Sequence, residues 1–70
     1  MANRTYRITE IVGTSNESID QAIKNGINRV TQTVRHVDWF EVTEIRGSVR
    51  DNEVADIQVG LKVGFRLEDA

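Results

Sequence analysis

The sequence predicts an α+β fold of order β-α-β-β, a three-stranded antiparallel sheet with one helix packed across it. Three observations carry this. Residues 55–67 alternate apolar and polar without a break, the period of a half-buried strand. Residues 19–37 place apolar side chains at spacings of three and four behind a serine, the period of an amphipathic helix. Between two strand-like segments lies Asp51-Asn52, whose side chains tolerate the left-handed backbone of a tight hairpin.

The first strand is expected over residues 5–12, a run of β-branched and aromatic types without a breaker. Tyr6, Ile8 and Val12 share one parity; Arg7, Thr9 and Ile11 share the other. Gly13, Thr14, Ser15 and Asn16 then read as a turn. Ser18 is the expected helix N-cap. Gln21 completes an S-x-x-Q capping box, and Glu17 and Asp20 suit the positive end of the helix dipole. The apolar stripe runs through Ile19, Ala22, Ile23, Gly26, Ile27, Val30, Val34 and Val37, which predicts a helix of about five turns. Gly26 lies on that stripe, where close helix–sheet contact explains its presence better than helix propensity does.

The second strand is expected over residues 39–49, with Phe40 and Val42 on the core face and Trp39, Glu41, Thr43 and Ile45 on the other. The third is expected over residues 53–68. Its core face carries Ala55, Ile57, Val59, Leu61, Val63, Phe65 and Leu67; its polar face carries Gln58, Lys62 and Arg66. Gly60 and Gly64 on the polar face mark bends, or places where something packs tightly on the backbone. With the helix on one side, the other sheet face is left open, and a half-apolar open face is a partner surface.

Composition narrows the function. Seventy residues make one domain, residues 1–70, and a chain this short has a marginal core. It has no cysteine and one histidine, so neither disulfides nor a structural zinc site is expected to support it. Self-association is the expected support, a well-packed monomer the alternative. A net charge of −2 from 9 basic and 11 acidic residues argues against a nucleic-acid partner. No apolar run is long enough to span a bilayer and the N-terminus lacks a signal-peptide core, so a soluble, cytoplasmic protein is expected.

No catalytic constellation is present: no glycine-rich phosphate loop, no metal spacing, no nucleophile–base motif. His36 reads as a helix C-terminal residue interacting with the dipole, and Glu41 and Glu44 as solvated or paired charges. Trp39, the single tryptophan, is either an interface anchor or a stacking platform for a planar ligand. Gln58 complements the second reading, because a side-chain amide offers both donors and an acceptor to a heterocycle edge.

The segments YRITEIVGTS (6–15), DWFEVTEIRG (38–47) and QVGLKVGFRLE (58–68), with the helix starting from Ser18, resemble the dodecins, a family of small flavin-binding proteins, in order and in spacing. The resemblance implies a hollow homododecamer that stores and photoprotects flavin, FMN or riboflavin, between tryptophans of symmetry-related subunits. Trp39 would be the sandwich residue, Gln58 the hydrogen-bonding partner of the ring edge, and Arg46 and Arg66 the residues holding assembly and phosphate. Thr5 and Tyr6 would complete the cofactor site. It also implies coenzyme A binding at the outer surface, with Arg7, Arg29 and Arg35 as candidates. No enzyme activity, metal, nucleic-acid or membrane partner is implied. The alternative is a structural or interaction module that uses Trp39 as an anchor; a flavin-dependent enzyme comes third. One conflict stands: simple alternation puts Arg46 and Trp39 on opposite faces of strand two.

Overall fold

A computed structural model describes residues 3–68. Four elements follow in the order β1 (Tyr6–Ser15), α1 (Ile19–Val30), β2 (Val37–Arg50) and β3 (Glu53–Arg66). The sheet order is β1-β3-β2, with β3 central and antiparallel to both neighbours.

β1 runs on through the residues expected to form a turn. Gly13, Thr14 and Ser15 pair with Val59, Gln58 and Ile57. The turn is made instead by Asn16 and Glu17, closed by the Ser15 hydroxyl accepting from the N–H of Glu17 at 2.9 Å. Glycine at 13 serves packing: a Cβ there would lie 2.2 Å from the Ala22 carbonyl oxygen, with the Gly26 Cα at 3.3 Å. Helix and strand thus meet backbone to backbone, which accounts for Gly26 on the apolar stripe.

Ser18 caps α1, its hydroxyl accepting from the Gln21 N–H at 3.0 Å. The capping box is only half made. The Ser18 N–H turns to the Ser15 hydroxyl at 3.4 Å, and the Gln21 amide donates to Asn25 Oδ1 at 2.8 Å. The helix also ends earlier than the apolar spacing predicts, at Val30. Thr31 and Thr33 are weak helix formers, and their hydroxyls bond back to the carbonyls of Asn28 and Val30, competing with helix continuation. Tight turns follow, with Gln32 and Thr33 donating to Arg29 and Val30. Val34 and Val37 still pack on the core, so their spacing served burial without helical backbone.

The hairpin turn is as expected: Asp51 and Asn52 adopt φ of 54° and 66°, the positive pair a two-residue primed turn requires. The core is Ala22, Val30, Val59, Leu61 and Val63, edged by Ile11, Ile23, Ile27 and Ile57. The β3 alternation supplies its centre.

Phe40 corrects an expectation. It faces the helix side, opposite Val63, yet it is 47% exposed and is not core in the protomer. The helix packs over β1 and β3, leaving the inner side of β2 bare. Phe40 borders a shallow groove with Ile23 and Ile27, and Val42 and Ile45 on β2 are also exposed.

Candidate functional site

The open face of the sheet is built on the polar parity of β3. In register with Arg66, Gly64, Lys62, Gly60 and Gln58, β1 places Tyr6, Ile8, Glu10, Val12 and Thr14. Directly paired residues of an antiparallel ladder share a face. On the other side β2 places Trp39 opposite Gly64, Glu41 opposite Lys62, Glu44 opposite Gly60 and Arg46 opposite Gln58.

This pairing resolves the conflict over Arg46. The ladder slips between Val42 and Glu44, so Thr43 is one extra residue on β2. A β-bulge of this kind inverts the parity beyond it. Arg46 therefore joins Trp39 on the open face, while Ile45 turns to the helix side opposite Val59.

Trp39 lies flat on β3. A Cβ on residue 64 would fall 2.3 Å from its Cε2 and Cζ2 atoms, so only glycine at 64 lets the indole rest on the strand backbone. Tyr6 flanks it with ring centroids 6.4 Å apart and planes tilted by 51°. The indole remains 40% exposed: one side rests on the sheet, leaving a large π-surface for a planar partner.

At the other end of the face, Arg46 is fixed from two directions. Its Nε donates to Gln58 Oε1 at 2.9 Å, and its Nη1 donates to Glu44 Oε1 at 2.9 Å. The Gln58 carbonyl oxygen is thus engaged and its NH2 group remains as the outward donor. The two ends stand apart. Trp39 is in register with Gly64 and Arg46 with Gln58, six residues along β3, or about 20 Å at strand rise.

Arg66 lies at the Trp39 end, paired with Tyr6. Its Nη2 approaches His36 Nδ1 at 3.2 Å. His36 is not a helix-end residue as the sequence suggested. It lies beyond the helix at φ 64°, and its Nε2 is 3.4 Å from Glu68. No local signal marks this role, because only the pairing of β2 with β3 brings residues 36 and 66 together. Thr5 precedes β1, and its carbonyl accepts from the Leu67 N–H at 2.9 Å. The three candidate arginines for the outer surface are dispersed. Arg7 lies opposite Phe65 on the helix side, Arg29 in the last turn of α1, and Arg35 in the connection, paired with Glu68 at 3.2 Å.

The Dodecin family model matches residues 5–68. The chain belongs to the dodecin family. It is 48% identical over 66 residues to the dodecin of Thermus thermophilus, covering 94% of this chain and 96% of that protein. Dodecin from Streptomyces davaonensis is 59% identical, with a TM-score of 0.94 over 97% of this chain and 100% of its own. Three solved variants of the Thermus thermophilus dodecin, two with an arginine replaced by alanine and one with a tryptophan replaced by phenylalanine, are 46% identical. They cover 96–97% of the chain and are fully covered by it, with TM-scores of 0.90–0.92. The protomer is thus a dodecin protomer in element order and in pairing. Among the described residues no helix is long and apolar enough to cross a membrane.

Proposed function

We propose that this dodecin binds flavin, FMN in preference to riboflavin, and stores and photoprotects it in a cytoplasmic homododecamer without catalysing a reaction. The observation that carries the reading is the indole of Trp39 laid on Gly64 with its remaining surface exposed. A cradle that only glycine permits fixes the platform, and stacking on such a platform contributes about 1–3 kcal/mol per ring. An indole held against a flavin quenches its excited state by electron transfer, which is the photoprotective chemistry.

The other residues have complementary roles. Gln58, with its carbonyl engaged by Arg46, directs its NH2 donors to the carbonyl edge of the ring system. Arg66 and Arg46 supply guanidinium forks suited to phosphate and to subunit contacts. Tyr6 borders the platform, with Thr5 just ahead of it. Since the Trp39 and Gln58 ends are about 20 Å apart, a complete site combines one end from each of two copies. Further support comes from the Thermus thermophilus variants, whose substituted tryptophan and arginines are spaced as Trp39, Arg46 and Arg66 are here. Coenzyme A at the outer surface, held by Arg7, Arg29 and Arg35, is a secondary assignment.

The test is optical. The purified protein should absorb in the visible as a flavoprotein or quench added FMN, and Trp39→Ala should abolish most of the quenching. Unchanged FMN emission at micromolar protein would overturn the reading. A second reading, an interaction module with Trp39 as anchor, is favoured by the many exposed apolar residues, among them Ile8, Val12, Phe40 and Ile45. It predicts assembly without ligand absorbance. Substrate-dependent bleaching of bound flavin under anaerobic conditions would instead indicate an enzyme.

A further inference from the structure

We infer that His36 is the positioning residue for Arg66, holding its guanidinium at the Trp39 end of the open face, ready for the phosphate of FMN. The inference rests on the flavin reading above.

His36 sits at φ 64°, a left-handed region uncommon for residues other than glycine, though one in which asparagine, aspartate and histidine are enriched. There it turns both its carbonyl and its ring to Arg66. The His36 carbonyl accepts from the Arg66 N–H at 2.9 Å, and the ring Nδ1 stands 3.2 Å from Arg66 Nη2. Arginine has donors only, so Nδ1 must be the acceptor and the ring proton must sit on Nε2. That nitrogen faces Glu68 Oε2 at 3.4 Å, an acceptor. One neutral tautomer satisfies both contacts. The His36 side chain is 30% exposed, against 78% for Arg35, which shares Glu68. In the chain Arg35–Glu68–His36–Arg66, His36 and Arg66 are thus the partly buried pair, and Arg35 and Glu68 the exposed one. An arginine held before the ligand arrives has less freedom to lose on binding, and this raises affinity.

The test compares two flavins on the assembled protein. His36→Gly removes the ring and relieves the backbone, so the variant should fold at least as well. Its FMN affinity should fall between about threefold and tenfold, while riboflavin, which lacks the phosphate, should bind as before. Combined with Arg66→Ala, the loss should not add. Unchanged FMN affinity overturns the proposal, and so does an equal loss for both flavins, which would place the ring's role at the ring platform or in the fold. If the unsubstituted protein binds neither flavin, the flavin reading fails, and this inference with it. A further readout needs neither ligand nor variant of His36. The ¹⁵N spectrum of the imidazole should show the Nε2–H tautomer, with the Nδ1 signal shifted in Arg66→Ala. An Nδ1–H tautomer, which cannot accept from Arg66, overturns the proposal outright.

Discussion

Gly64→Ala separates a ligand platform from an interface anchor. The new Cβ would stand 2.3 Å from Cε2 and Cζ2 of Trp39 and 2.7 Å from Cδ2. Carbon atoms rest at about 3.5–4.0 Å, so the indole must retreat by more than about 1 Å or swing off the strand. The strand itself cannot yield, because residue 64 is paired on both sides, with Ile8 and with Trp39. For stability the effects nearly cancel. Alanine gains about 0.5–1 kcal/mol over glycine in a strand, while an off-rotamer indole costs about 0.5–1.5 kcal/mol. For the ligand they do not cancel. Losing a stacking contact of about 1–3 kcal/mol weakens binding by roughly 5- to 150-fold. The assay is FMN titration by flavin emission, with size-exclusion chromatography on the same samples. The expected result is an unchanged oligomer, about 95 kDa for twelve chains of 7.9 kDa, with much weaker quenching. Gly60→Ala is the control. Its Cβ would meet Thr43 Oγ1 at 2.7 Å and Glu44 Cγ at 3.1 Å, at the bulge and not at the indole, so any loss of flavin affinity should stay within the fewfold expected from loosening Arg46. Parental FMN affinity in Gly64→Ala refutes the platform argument, and loss of assembly with ligand-free protein supports the anchor reading instead.

Gly13→Ala should destabilise the protein by about 1–3 kcal/mol in urea unfolding, since its Cβ would stand 2.2 Å from the Ala22 carbonyl oxygen and neither backbone can move cheaply. Ser18→Ala should cost about 1 kcal/mol by removing the cap to Gln21, visible as a lower thermal midpoint with flavin affinity unaltered. Glu44→Gln should leave stability within about 1 kcal/mol, because the Glu44–Arg46 pair is roughly half exposed. It should nonetheless weaken FMN binding by up to about fivefold, as one of the two holds on Arg46 loses its charge and keeps only a neutral amide acceptor; unchanged affinity would show that the charge at position 44 is not needed to place the guanidinium.

The parts of this protein written in local chemistry were legible before the structure. The alternation of β3, the Asp51-Asn52 turn and the Ser18 cap each rest on neighbours within four residues. Gly64 on the polar face suggests either a bend or a place where something packs on the backbone, and the structure shows the second, with Trp39 packed there. The failures concern relations between elements. For Phe40 alternation predicts the right face and the wrong burial, because nothing along the chain says that α1 covers β1 and β3 rather than β2. Val34 and Val37 continued the helical spacing, yet that spacing is equally served by turns that return the chain to the core. The bulge at Thr43 has no glycine to announce it, so simple alternation puts Ile45 and Arg46 on the wrong faces. Local spacing puts His36 at the end of the helix dipole, because its partner is thirty residues away.

On the proposed flavin reading, that bulge also explains why a complete site would need more than one chain. Without Thr43 as an extra residue, Arg46 would face the helix side and the open face would keep Trp39 but lose its second basic contact. With it, one face carries an aromatic end and an amide–guanidinium end, separated by six residues of β3. About 20 Å is too far for both ends to serve one flavin ring within a protomer, so on that reading a protomer alone would offer two half-sites. The same chain exposes Phe40, Val42 and Ile45 along the uncovered side of β2, apolar surface that a 70-residue domain gains most by burying against another copy. On the proposed flavin reading, self-association and ligand binding are linked: a ligand held between the half-sites of two copies would stabilise the assembly by mass action, so flavin occupancy and oligomer stability should rise together.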